Sequence, residues 1–208
     1  MIKIGLTGGI GSGKTTISSY LLKKEIPIID ADKISREIYD IYPQLKDEIK
    51  LAFGERFFDK DNNLKRRDLG NFIFKFKKRR NKLERIVIPY IKREIFKRFK
   101  EEELKGKDIC ILDAPTLIEN NLHKKMDMNI LVYVDLKIQI NRVMKRDKLT
   151  YKETLERINS QLPLKKKKKK VQYIINNNKA LDETLREVDE VLKDIKQSSN
   201  ERKGMGNL

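Results

Sequence analysis

The chain has 208 residues and a formal charge of +17, from 48 Lys and Arg against 31 Asp and Glu, with a single cysteine. That length suits one or two domains with a sizeable core. No apolar run approaches the roughly 18 residues a membrane span needs, the N-terminus reads as a strand and not a signal peptide, and one cysteine gives no disulfide framework. A soluble, cytoplasmic protein of a reducing compartment is expected, with no membrane contact. The positive charge has two readings, attraction to polyanions or a drift toward Lys, Ile and Asn. Basic residues spread from Lys46 to Lys170 without aromatic interleaving, which favours drift, so no specific nucleic-acid partner is expected.

Ile2 to Leu6 reads as a buried strand, and Gly8-Gly9-Ile10-Gly11-Ser12-Gly13-Lys14-Thr15 follows it. This octet matches G-x-x-x-x-G-K-[ST], the phosphate-binding loop, and Thr16 to Leu22 opens the helix the motif requires. Glycines let backbone N–H groups converge on one anion, and the helix adds the positive end of its dipole. In that setting the Lys14 ammonium reaches the β- and γ-phosphates, and the Thr15 hydroxyl is a ligand for Mg²⁺.

Ile26 to Asp30 reads as a second strand, with Asp30-Ala31-Asp32 at its C-terminal edge, where ligands bind in open parallel sheets. Asp32 also suits a helix N-cap, since Ile34 and Ile38 have helical spacing. Residues 33 to 105 read as helical, with no long strand. Leu45, Ile49 and Phe53 mark one face, and Asp68 is placed to cap a helix that turns Leu69, Phe72, Ile73 and Phe76 inward. Pro89 separates an apolar stripe at Leu83, Ile86 and Val87 from another at Ile91, Ile95 and Phe99.

Gly106 closes that segment. Asp108 to Leu112 is a third strand, and Asp113 at its end fits the acid that holds Mg²⁺ downstream of a phosphate loop. Cys110 lies inside this run and is expected to be buried and reduced, while His123 is expected at the surface. Met128 to Val134 is a fourth strand. Continuous apolar runs separated by helices predict a parallel sheet covered on both faces. Arg142 and Arg146 share one face of the helix opened by Asp135, and Thr150 with Glu153 forms a capping box before Leu155, Ile158 and Leu162. The run Lys165 to Lys170 is expected to be solvated. Tyr173 to Asn176 is a fifth strand, followed by a helix with Leu181, Leu185, Val188, Leu192 and Ile195 on one face and a polar tail from Gln197.

These residues together resemble the dephospho-coenzyme A kinase family. The resemblance rests on Gly5 to Thr16, on Ile29-Asp30-Ala31-Asp32, and on Leu112-Asp113-Ala114-Pro115 with Leu117 and Glu119. Arg142, Arg146, Arg157, Gln161 and Asn177 fall at the family's spacing, and Leu64, Arg66 and Leu69 are similar to a further segment. The chain departs from the pattern at Ile88, where histidine is usual, at Thr116, and at Val171-Gln172. The resemblance implies an α/β fold: a P-loop NTPase of three α/β/α layers with a five-stranded parallel sheet. Residues 1–30, 106–136 and 171–208 would form the nucleotide core, 31–105 a helical substrate domain and 137–170 a lid.

The implied reaction moves the γ-phosphoryl group of ATP, with Mg²⁺, to the ribose 3′-hydroxyl of dephospho-coenzyme A. By resemblance Gly9, Gly11, Ser12, Gly13, Lys14, Thr15 and Thr16 would bind ATP with Arg142 and Asn177, and Thr15 and Asp113 would hold the metal. Thr7, Asp30, Asp32, Arg66, Pro115 and Glu119 would meet the acceptor, and Asp32, Lys14 and Arg146 would act in catalysis. A monomer or weak oligomer is expected. One rival is a kinase of another small acceptor such as a nucleoside monophosphate. Asp30 and Asp32 weigh against it, because a phosphate acceptor needs no base whereas a hydroxyl benefits from one. Another is a GTPase or nucleotide-dependent RNA binder. Asn178-Lys179-Ala180-Leu181 lacks the acid of a guanine-reading N-K-x-D, and no RNA module is recognisable.

Overall fold

A computed structural model of the chain describes the backbone of residues 1–74 and 76–205, and the side chains of residues 1–73 and 76–198. Its contacts divide it into two compact units, Met1–Asp30 with Glu101–Leu208, and Ala31–Lys100.

The first unit is built on five strands, β1 (Ile2–Gly8), β2 (Ile28–Asp30), β3 (Ile109–Asp113), β4 (Met128–Tyr133) and β5 (Tyr173–Asn176). They lie in the order β2-β3-β1-β4-β5, and every pairing is parallel. Their apolar composition follows from that arrangement, since helices cover both faces of such a sheet. On one face Ile4, Leu6, Ile111, Ile130 and Val132 pack against Ile17 and Leu21 of α1 (Lys14–Lys23) and against Val188, Leu192 and Ile195 of a later helix, α9 (Leu181–Met205). Burying each such side chain contributes about 1.5–3 kcal/mol. On the other face Leu131 and Val134 meet Leu164. There Gly5 lets the chain after β3 lie close, because a Cβ would stand 2.6 Å from Leu117.

The second unit is helical: α2 (Ala31–Ile41), α3 (Gln44–Phe53), α4 (Arg66–Phe74) and α5 (Lys77–Leu104), whose last residues enter the first unit. Ile34, Ile38, Leu45, Ile49, Phe57, Leu69, Val87, Ile95 and Phe99 form its buried apolar residues together with Phe58. Three sequence expectations change here. The stripes on either side of Pro89 belong to one continuous helix. The proline removes a single N–H, so only the Arg85 carbonyl loses its intrahelical donor, and Val87, Ile95 and Phe99 keep the helix packed. Neither Asp32 nor Asp68 is a cap: α2 starts at Ala31 and α4 at Arg66, so both acids sit in first turns, where they still complement the helix dipole. Phe76 is not inward but 52% exposed, with the Arg79 guanidinium 4.2 Å from its ring centre.

The remaining helices belong to the first unit: α6 (Leu136–Asp147), α7 (Tyr151–Asn159) and α8 (Leu164–Lys168). The capping box forms as expected, the Thr150 hydroxyl accepting from the Glu153 N–H and the Glu153 carboxylate from the Thr150 N–H. Thr154, not Leu155 or Ile158, is the fully buried residue of α7. Among the described residues no helix is long and apolar enough to cross a membrane.

Candidate active site

The site grows from the C-terminal end of β1, the central strand. After Gly8 the loop turns tightly, the Ser12 N–H bonding the Gly9 carbonyl at 3.0 Å, and enters α1 through Gly13. Gly11 and Gly13 have φ of 73° and 89°, a left-handed backbone that favours glycine. At Gly13 space also forbids a side chain, because a Cβ would lie 2.0 Å from the Asn177 amide nitrogen. Ser12 is fully buried, and its hydroxyl has no partner among the described residues. A glycine cradle, a helix N-terminus and an orphaned buried hydroxyl together fit an oxyanion such as a triphosphate.

Lys14, Asp113 and Ser18 meet beside this cradle. The Lys14 ammonium and the Ser18 hydroxyl each donate to one oxygen of the Asp113 carboxylate. Leu6 and Asp30 are the Cα partners of Asp113 on the two neighbouring strands, so β2 and β3 end on acids in the same register. Thr15 and Thr16 open α1 with exposed side chains. Among the described residues no cluster of three His, Cys, Asp or Glu could form an all-protein metal cage. One carboxylate and adjacent hydroxyls, all hard oxygens, instead suit a small divalent cation that takes its other ligands from phosphate and water.

Two segments brace the loop from the side of β4 and β5. Asn177 donates to the Ser12 carbonyl at 2.7 Å and accepts from the Thr184 hydroxyl at 3.2 Å. Arg142 donates to the Asn177 carbonyl at 3.0 Å. At the tip, the Ile10 N–H donates to Gln161 at 2.9 Å and the Ile10 carbonyl accepts from Gln139 at 2.7 Å. Arg146 is more exposed and grips Asp147 through two nitrogens, at 2.7 and 3.0 Å, with Arg157 at 3.2 Å from the same carboxylate. These guanidinium groups hold the Asp147 carboxyl below the usual carboxylate range.

The expected acceptor residues divide between the units. The Thr7 hydroxyl donates to the Pro115 carbonyl at 3.1 Å, and Glu119 accepts from the Leu162 N–H at 3.1 Å, both within the first unit. Asp32 and Arg66 belong to the second. The Arg66 guanidinium lies 4.9 Å from the Tyr39 ring centre and donates to the Arg36 carbonyl.

Two expectations need correcting. His123 is half-buried, and burial lowers its pKa below the ordinary imidazole value, while its Nδ1 has no partner among the described residues. The lysine run is not uniformly solvated, because Lys167 is fully buried. Lys167, Ser18 and Gln139 are the site residues that sequence reasoning missed. Ser18 carried a signal, lying one helical turn after Lys14, and so did Lys167, three residues after the apolar Leu164 on the same helix face. Gln139 carried none.

A sequence model described as dephospho-CoA kinase matches residues 2–183 of the chain. The dephospho-CoA kinase of Clostridium perfringens is 48% identical over 192 residues, which cover 92% of this chain and 96% of that protein. That of Clostridium tetani is 47% identical over 93% of this chain and 86% of its own. A crystal structure from Thermus thermophilus superposes with a TM-score of 0.76 at 29% identity, covering 93% of this chain and 97% of that one. The dephospho-CoA kinase structure from Campylobacter jejuni, at a TM-score of 0.72 and 24% identity over 95% and 98% of the two chains, supports the fold alone. The chain belongs to the dephospho-CoA kinase family.

Proposed function

We propose that this site transfers the γ-phosphoryl group of ATP to the ribose 3′-hydroxyl of dephospho-coenzyme A, the last step of coenzyme A synthesis. The observation that carries the reading is the junction of Lys14, Asp113 and Ser18 beside the glycine cradle, in a chain of this family. The loop from Gly9 to Thr16 wraps the triphosphate with N–H donors. Lys14 exchanges the Asp113 carboxylate for phosphate oxygens and offsets the charge on the transferring group. Asp113 and Thr15 would hold Mg²⁺, which when bound supplies charge neutralisation across the phosphates. Arg142 supports the loop through Asn177, and Arg146 exchanges Asp147 for phosphate as residues 137–170 act as a lid.

Asp32 takes the proton of the acceptor hydroxyl. It follows Asp30 by two residues, so the chain holds it within about 7 Å of the end of β2. Asp30 is the alternative base. Thr7, Pro115, Glu119 and Arg66 serve the acceptor. The test is ADP release by the purified chain with ATP, Mg²⁺ and dephospho-coenzyme A. Turnover with that acceptor at least about a hundredfold above turnover with nucleoside monophosphates is expected, since a site built for one acceptor rejects others by such factors. Equal turnover with a nucleoside monophosphate would overturn the assignment. So would salt-sensitive RNA binding as the sole activity.

A further inference from the structure

Six consecutive lysines end the stretch after α7, and five of them are exposed. Lys167 is fully buried, although it stands in the middle of them. Its ammonium donates to the Pro115 carbonyl, the same oxygen that accepts from the Thr7 hydroxyl. It lies 3.0 Å from Glu119 Oε1, the same oxygen that accepts from the Leu162 N–H. One cation therefore ties together the end of β1, the turn after β3 and the linker between α7 and α8.

Burying an ammonium costs several kcal/mol, and a well-packed apolar side chain often stabilises as much as a buried ion pair. Packing alone thus gives no reason for a lysine here. The tied turn begins one residue after Asp113 and contains Pro115 and Glu119, both placed at the acceptor above. Burial, opposed by Glu119 and aided by the Lys14 charge, lowers the Lys167 pKa, so the ammonium also senses the phosphate-binding lysine.

We propose that Lys167 is a positioning residue for phosphoryl transfer, holding the Ala114–Glu119 turn so that Asp113 and the acceptor contacts keep their orientation. It acts through Pro115 and Glu119 and touches no reactant itself. The inference rests on the dephospho-coenzyme A kinase reading.

The test compares full-length Lys167→Met, Lys167→Arg, Glu119→Gln and the Lys167→Met/Glu119→Gln double variant with a control in which Lys165, Lys166, Lys169 and Lys170 become Gln. Melting, ATP affinity by calorimetry, and kcat and KM for dephospho-coenzyme A are measured on each. Lys167→Met should melt as a folded protein and bind ATP within about threefold of the parent. Its kcat/KM for the acceptor should fall by about ten- to a hundredfold, the scale of a small misplacement of reacting groups. The control should stay within about threefold. The double variant should lose no more than the worse single one, because both act through one turn.

The proposal is overturned if folded Lys167→Met turns over normally, if ATP affinity falls as much as acceptor turnover, or if the single losses multiply in the double variant. Loss of the melting transition in both Lys167→Met and Lys167→Arg would assign Lys167 to folding alone and overturn it as well. A parent protein that does not phosphorylate dephospho-coenzyme A overturns the functional reading first and this inference with it.

Discussion

The two units differ in what they bury. Among the described residues, Thr7, Ser12, Asp113, Asn129, Gln139, Thr154, Lys167, Asn177 and Thr184 are buried polar groups of the sheet unit, whereas the helical unit buries Glu94. Glu94 is fully served, by the Arg98 guanidinium at 2.9 Å and the Tyr42 hydroxyl at 3.2 Å. The helical unit is held by aliphatic packing and by cations over rings, such as Arg79 at 3.9 Å from the Phe72 centre. A buried polar group costs stability unless it is paired, so a region that accumulates such groups is organised for chemistry at the expense of simple packing. Polar substitutions should accordingly act on turnover in the sheet unit and, apart from Asp32 and Arg66, scarcely at all in the helical one.

Lys14→Ala is the strongest probe on the sheet side. Turnover should fall by about 10³-fold or more while circular dichroism and melting stay native, since the lysine contributes chiefly electrostatic stabilisation of the transferring group. A folded variant with near-normal turnover would remove the phosphate loop from the mechanism.

Asp32→Asn is the deliberate exception on the helical side. A base accepting the hydroxyl proton contributes about 10²- to 10⁴-fold, so turnover should drop at least about a hundredfold with ATP binding retained. The amide keeps the size of the side chain and removes only a first-turn charge, worth about 0.3–1 kcal/mol. If Asp32→Asn is active and Asp30→Asn is dead, the base belongs to the sheet unit.

A smaller difference should separate Arg146 from His123 within the sheet unit. Arg146→Ala is expected to lower turnover by about tenfold or more, with little change in melting, because its exposed pair with Asp147 contributes little stability. His123→Ala should change turnover by less than about twofold. The reverse ranking would exclude Arg146 from phosphate binding.

Cys110 should give the smallest signal. Burial in β3, with Glu102 nearby, pushes its thiol from 9.0 up to about 12. The raised value is a contribution to stability that is complete below about pH 9 and is lost as the pH rises toward 12, because the unfolded thiol ionises first. At pH 8 a thiol reagent should therefore label the denatured chain and leave the native one unmodified over the same interval. Rapid native labelling would mean that β3 opens readily.

The phosphate loop, the five strands and the capping box were legible because each is a local pattern: an octet with fixed spacing, an unbroken apolar run, a Thr and a Glu three apart. The bracing of the loop was not. Gln139 meets Ile10 across 129 positions of sequence, and no periodicity marks such a contact. Lys167 was hidden by its neighbours, since composition alone makes a lysine run look uniform. Pro89 misled in the other direction, because a local rule about helix breaking gave way to the packing of Val87, Ile95 and Phe99. The second acceptor residue, Arg66, was placed only through resemblance, and its guanidinium is engaged with Tyr39 and Arg36.

The central position of β1 has a consequence for how the chain is made. Ile2 takes Ile109 as its register partner in β3, and Ile4 takes Met128 in β4, each more than about a hundred residues further along. At about 5–20 residues per second, a nascent chain leaves the ribosome with its first strand exposed for roughly 5–20 seconds before a sheet neighbour exists. All residues of the helical unit are synthesised during that wait. The phosphate loop, which depends on β1 for its anchor and on Asn177 for its brace, is thus made well before the residue that completes it. Nucleotide binding would report that Asn177 has been made, and the apolar segment Ile2–Leu6 is the stretch a chaperone would need to shield.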